Sequence, residues 1–216
     1  MVLIPIILST LVTTTSSLSC LKCYGEGNKR CQGPVVECPP DFKACVTTIG
    51  SDTVGGNEKT WISWNCGRMN MCSSSGSLTT DFGVKKISSS CCYTSNCSPP
   101  TPKFPEGNTD KNGISCRGCD SERGSSCLSN PKIIHCTGEE NICVLMTNIT
   151  KEGGAVSTHF ISGCGTVGTC GFSHRRIQDD DRTTIINFSC GSGSVHLPPC
   201  RLLMVLAALT VIRVIS

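Results

Sequence analysis

Two stretches show how apolar and polar positions are arranged in this chain. In "CVTTIGSDTVGGNEKTWISWNC", Cys45–Cys66, β-branched and aromatic residues fill two arms. Gly, Asn, Asp and Ser fill the middle, around Gly55-Gly56. "CVLMTNITKEGGAVSTHFISGC", Cys143–Cys164, has the same layout around Gly153-Gly154. Arms of this kind around a glycine pair predict β-hairpins. Between the two chain ends no apolar run follows a helical period, so the predicted class is all-β. Trp61 and Trp64 lie three apart on one arm, and a strand of period two sends them to opposite faces. One of them is expected to pack, and the other to serve as an exposed anchor for a partner.

The chain ends read differently. "MVLIPIILSTLVTTTSSLS" is an apolar run that fades into small residues, as a secretory signal does. Residues 1–17 are read as that signal, with Leu18 as the first mature residue. At the other end Leu202–Ile212 is an apolar run of 11 residues followed by Arg213. A membrane-spanning helix needs about 20. Small residues at Gly191–Ser194, a short spacer and the apolar end together match a glycolipid-attachment signal. The expectation is that residues 192–216 are exchanged for the anchor at Ser192 or Gly191.

Composition sharpens this picture. Nineteen cysteines among 216 residues, with few aromatics, mark an exported disulfide scaffold with a thin apolar core. Eight cysteines starting at Cys20 recur, starting at Cys116, at offsets of 96 to 99 residues. "LSCLKC" returns as "ISCRGC". The chain is therefore a duplication. The predicted units are 18–97 and 114–191, joined by a proline-rich, polar linker at 98–113 that has little to bury. The net charge of +3 comes without a basic block interleaved with aromatics, which excludes a nucleic-acid surface. Spacing alone leaves the disulfide pairing open.

L-x-C-x-x-C at the start of the mature chain, a cysteine-bounded hairpin and the closing C-C-x4-C resemble the urokinase-receptor and lymphocyte-antigen-6 family. The resemblance covers nearly all of 18–190 and implies two three-finger domains, each with three loops projecting from a disulfide hub. It implies Cys20–Cys45, Cys23–Cys31, Cys38–Cys66, Cys72–Cys91 and Cys92–Cys97 in the first domain. In the second it implies Cys116–Cys143, Cys119–Cys127, Cys136–Cys164 and Cys170–Cys190. Cys200 is left over, and it departs with the tail if the anchor replaces that segment. "CTGEENIC", "ISGCGTVGTC" and a single closing cysteine in the second copy are similar to gamma-type phospholipase A2 inhibitors. That narrower resemblance implies a protein ligand, a secretory phospholipase A2 first. A glycolipid-anchored receptor or adhesion protein, or a secreted pheromone-like signal, is the alternative. Two departures from the family carry expectations. Ser98, not Asn, follows the last cysteine of the first domain, so that hub is held differently. The second domain lacks the Cys92–Cys97 equivalent, so its last strand end is expected to be looser.

Enzyme chemistry finds no support in the chain. His135, His159, His174 and His196 fit no H-E-x-x-H spacing, and no serine sits in a G-x-S-x-G elbow. Cys20-x2-Cys23 and Cys116-x2-Cys119 are half-motifs for zinc, but in an exported chain disulfides are the reading. No catalytic residue, metal or cofactor is predicted, and membrane contact is through the anchor only. The chain is placed outside the cell, on the outer face of the plasma membrane or secreted. Asn148 and Asn187 head glycan sequons. "HRRIQDDDR" supplies a charged loop near the tip of the last finger, with His174, Arg175, Arg176, Asp179, Asp180 and Asp181 as candidate partner contacts beside Trp61 and Trp64.

Overall fold

The computed structural model describes residues 17–192, except 28–29, 122–126, 128–130, 173 and 180. Residues 1–16 of the expected signal, the tail beyond Ser192 with Cys200, Asp180, and the side chains of His174, Arg175 and Asp179 lie outside the described residues. Among those described, no helix is long and apolar enough to cross a membrane.

Thirteen strands make up the described fold. The first half has β1 (Ser19–Leu21), β2 (Cys23–Glu26), β3 (Val35–Glu37), β4 (Ala44–Val54), β5 (Asn57–Gly67), β6 (Ser75–Thr79) and β7 (Gly83–Cys92). The second has β8 (Lys111–Ser121), β9 (Lys132–Thr137), β10 (Ile142–Glu152), β11 (Ala155–Gly165), β12 (His174–Asp179) and β13 (Arg182–Ser192). The two expected hairpins are β4–β5 and β10–β11, each laddered along its full length. Their turns need two successive residues with positive φ, which only glycine adopts freely. Gly55 and Gly56 sit at +58° and +82°, and Gly153 and Gly154 at +54° and +82°. In each half the third finger adds its last strand to the hairpin, β7 on β4 and β13 on β10. Both halves are all-β three-finger domains.

Sulfur fills much of the hubs. Cys20, Cys38 and Cys45 form one buried cluster; Cys116, Ile134, Cys136, Cys143 and Cys164 form another. Five disulfides staple the first half, Cys20–Cys45, Cys23–Cys31, Cys38–Cys66, Cys72–Cys91 and Cys92–Cys97. Four staple the second, Cys116–Cys143, Cys119–Cys127, Cys136–Cys164 and Cys170–Cys190. Each such bond in a small exported domain contributes about 2–4 kcal/mol.

At the first hub the Asn96 backbone N–H donates to the Ser19 carbonyl at 2.7 Å, and the Ser19 N–H donates to Ser95 Oγ at 3.2 Å. Ser98 is used otherwise: its Oγ accepts from Arg30 at 2.8 Å. In the second domain β13 stays paired with β10 as far as Ser192, opposite Ile142. The ladder, rather than a counterpart of Cys92–Cys97, holds that strand end.

The linker differs from the expectation that it has little to bury. It has no helix or strand up to β8, yet it lies on the first domain. Pro99 is buried, and its carbonyl accepts from Thr47 Oγ1 at 3.4 Å. Phe104 packs against the cluster of Ile49, Ile62 and Trp64. The sheet face left open by two fingers is apolar, and the one aromatic in the linker covers it.

Candidate protein-recognition surfaces

The two tryptophans divide as a period-two strand requires. Trp64 is buried in the Ile49–Ile62 cluster under the linker. Its Nε1 has no hydrogen-bond partner among the described residues. Trp61 is half-buried on the opposite face, where it stacks on Tyr24 with ring centroids 6.0 Å apart. Tyr24, on β2 at the sheet edge, is 54% exposed. Gly50 stands opposite Trp61 in the β4–β5 ladder, and a Cβ there would fall inside the indole. Toward the fingertip the same face carries the Lys85–Asp52 ion pair at 2.8 Å and then exposed Val54. The result is an aromatic step on a stapled hairpin, flanked by charge. On the Trp64 side, Arg30, Ile62, Trp64 and linker residues 98–101 line a cavity of about 330 Å³.

The charged stretch lies elsewhere and is not simply a loop. His174–Asp179 is the strand β12, paired with β13, and Asp181 is in the turn beyond it. Arg176 and Asp181 are exposed. β12 and β2 end the sheet on opposite sides, eight strand spacings apart. That is roughly 38 Å along the sheet. Trp61 and the β12 residues therefore do not form one contact site.

Between them runs a seam that sequence reading missed. β6 of the first domain pairs with β11 of the second, Thr79 with Cys164 and Leu78 with Gly165, so both domains share one sheet. Leu78 enters the second domain's cluster of Val144, Met146 and Ile161. Glu140 is buried there and accepts from Thr79 Oγ1 at 2.5 Å and Ser77 Oγ at 3.2 Å. Lys132 pairs with Asp81 at 2.7 Å and stands 5.4 Å from the Phe82 ring centre. "TGEEN" gave no sign of this, because a carboxylate after a turn ordinarily faces water.

The sequons are strand residues. Asn148 lies half-buried in the middle of β10 and Asn187 in β13, on strands that pair with each other. Gly191 and Ser192 end β13 beside the second hub.

Two sets of three sulfurs lie close enough to surround an ion, Cys20, Cys38, Cys66 and Cys116, Cys136, Cys164. Each sulfur is in a disulfide and has no thiolate to offer. Ser115 and His135 touch across β8–β9 at 2.9 Å, and His159 meets Asp120 across β11–β8. Both are two-residue surface contacts between neighbouring strands.

Two three-finger units share one sheet and carry exposed aromatic and charged surfaces, the architecture of a family of non-enzymatic binding proteins. Comparison with known families agrees. The chain belongs to the u-PAR/Ly-6 domain family, whose model matches residues 16–100 and again 112–196. It is 26% identical over 176 residues to the urokinase plasminogen activator surface receptor of Aotus trivirgatus, covering 78% of this chain and 50% of that one. It is 31% identical over 115 residues to Protein RoBo-1 of Rattus norvegicus, covering 51% of this chain and 42% of that one. The chain thus spans about half the length of these curated relatives. The solved structure of mouse TEX101 aligns over 82% of this chain and 99% of that one, at 16% identity and a TM-score of 0.32.

Proposed function

We propose that this protein is an extracellular receptor-type recognition protein, displayed on the outer face of the plasma membrane by a glycolipid joined at Ser192 or Gly191. The observation that carries the reading is the Tyr24–Trp61 stack over Gly50. It is an aromatic anchor on a hairpin that disulfides hold still. Exposed tryptophan and tyrosine are frequent hot spots, and a rigid carrier lowers the ordering cost of binding. β13 returns to the second hub, so an anchor at its end turns that hub to the membrane. The Gly153-Gly154 fingertip is then held roughly 33 Å outward, at about 3.3 Å per strand residue. N-linked glycans at Asn148 and Asn187 belong to the same reading.

Relatives named as a urokinase plasminogen activator surface receptor favour the receptor form. The phospholipase inhibitor form rests on the narrower resemblance of the second domain alone. The full-length protein, displayed on cells, is to be titrated with urokinase-type plasminogen activator and with a panel of secretory phospholipases A2. Saturable binding that weakens at least tenfold in Trp61→Ala supports the recognition surface. No binding of any phospholipase at micromolar concentration removes the inhibitor form. Retention on cells after treatment with a phosphatidylinositol-specific phospholipase C counts against the anchor. Unchanged mass after glycosidase treatment counts against the glycans.

A further inference from the structure

The cavity beneath the linker has a one-sided chemistry. Ile62 and Trp64 of β5 form its sheet side, and linker residues 98–101 form its cover. Trp64 is only 6% exposed, and its Nε1 is buried without a hydrogen-bond partner among the described residues. A buried donor left unpaired costs stability, so an acceptor brought to this N–H gains. The linker prolines do not supply one. The Pro99 carbonyl accepts from Thr47 Oγ1, and the Pro100 carbonyl accepts from Ser90 Oγ.

Arg30 is exposed and lines the same cavity. Its Nη2 donates to Ser98 Oγ at 2.8 Å, and a guanidinium has further N–H groups to give. Among the described residues no Asp or Glu lines the cavity. Donors and a single positive charge therefore stand beside apolar walls with no anion to meet them. A group that only accepts, and carries one negative charge, fits this set. A carboxylate does so, and its paired oxygens match the guanidinium fork. A phosphate monoester would set nearly twice the charge against one guanidinium. The indole, Ile62 and the rings of Pro99 and Pro100 suit an apolar body behind the carboxylate. At about 330 Å³ the cavity stands at the small end of ligand sites, which run from about 300 to about 1,000 Å³.

We propose that this cavity is a binding site for a small apolar carboxylic acid. Arg30 and the Trp64 indole N–H hold the carboxylate, and Ile62, Pro99 and Pro100 hold the body. The linker is the wall that yields. It has no helix or strand up to β8, so it can shift as the acid reaches the buried N–H. An occupied cavity in turn ties the linker to the first domain. The site lies on the face of β5 opposite Trp61 and does not depend on the surface proposed for a protein ligand.

Heteronuclear NMR of the isotope-labelled protein, titrated with phenylpropionate at neutral pH up to millimolar concentration, tests this. The chain has two tryptophans, and Trp61→Phe tells their indole N–H signals apart. The Trp64 signal should move downfield and saturate, while the Trp61 signal stays. Phenylpropionamide has the same shape without the charge and should bind at least tenfold more weakly. Arg30→Gln should weaken phenylpropionate by a similar factor. Arg30 is exposed, and an otherwise unchanged spectrum shows that variant to be folded. A short peptide ending in phenylalanine carries the same carboxylate on a chain end. Tighter binding of the peptide assigns the site to a chain terminus, and weaker binding assigns it to free acids. A Trp64 signal that neither ligand moves overturns the proposal. So does an amide that binds as well as the acid, or an Arg30→Gln variant of unchanged affinity.

Discussion

Gly50 lies across the β4–β5 ladder from Trp61, and the indole occupies the space where a side chain at position 50 would begin. Glycine inside a strand usually costs stability, and replacing it with alanine usually recovers about 0.5–1 kcal/mol. Here the sign reverses. Gly50→Ala must push the indole off its seat and away from Tyr24, and overpacking of this kind costs about 1–3 kcal/mol. Guanidinium unfolding followed by tryptophan fluorescence checks this. A variant at least as stable as the parent would mean that the indole does not rest on Gly50.

The contact between Thr79 and Glu140 makes the opposite kind of prediction. It joins the two domains, and it places a buried carboxylate in the seam. Thr79→Val keeps the shape and removes the donor at 2.5 Å. Hydrogen bonds to charged groups contribute about 1.5–3 kcal/mol. The variant should unfold at lower denaturant, and the linker at 98–110 should be cut faster by protease. Equal cleavage rates for parent and variant would show that the seam does not hold the domains together.

Much of this was legible in the residues, and the divide has physical causes. Gly55-Gly56 and Gly153-Gly154 announce their hairpins, because a tight turn needs positive φ and few residues supply it. The spacing of Trp61 and Trp64 fixes that they face apart. It does not fix which one is covered, since Phe104 of the linker decides that from some 40 residues away in sequence. Burial of Glu140 was not legible for the same reason. Its partners Ser77 and Thr79 belong to the other domain and reach it only because β6 docks on β11. The charges of His174–Arg182 read as a loop, yet the first six residues are a strand, because the β13 ladder outweighs their low β-propensity.

Phe104 is itself open to test. It is partly buried against Ile49, Ile62 and Trp64. Phe104→Ala should therefore cost less than the ~3–5 kcal/mol of a fully buried phenylalanine. It should also admit water to Trp64, seen as a red shift of emission that Trp61→Phe does not abolish. Emission unchanged from the parent would place the linker off this face.

The disulfides of the second domain should not be equal. Cys119–Cys127 closes 8 residues and Cys136–Cys164 closes 28. In the chain-entropy account the longer loop confers about 1 kcal/mol more. Cys136 and Cys164 are also fully buried in the hub cluster, whereas Cys119 is half-buried and neither it nor the buried Cys127 belongs to that cluster. Paired serine replacement at Cys136 and Cys164 therefore leaves polar groups in the core as well as a freed chain. That double variant should lose secretion or show a far lower melting temperature. The Cys119/Cys127 double variant should be exported with a modest drop. Thermal unfolding of both, side by side, decides between the hub and the finger as the seat of stability. A larger loss at Cys119/Cys127 would move it to the finger.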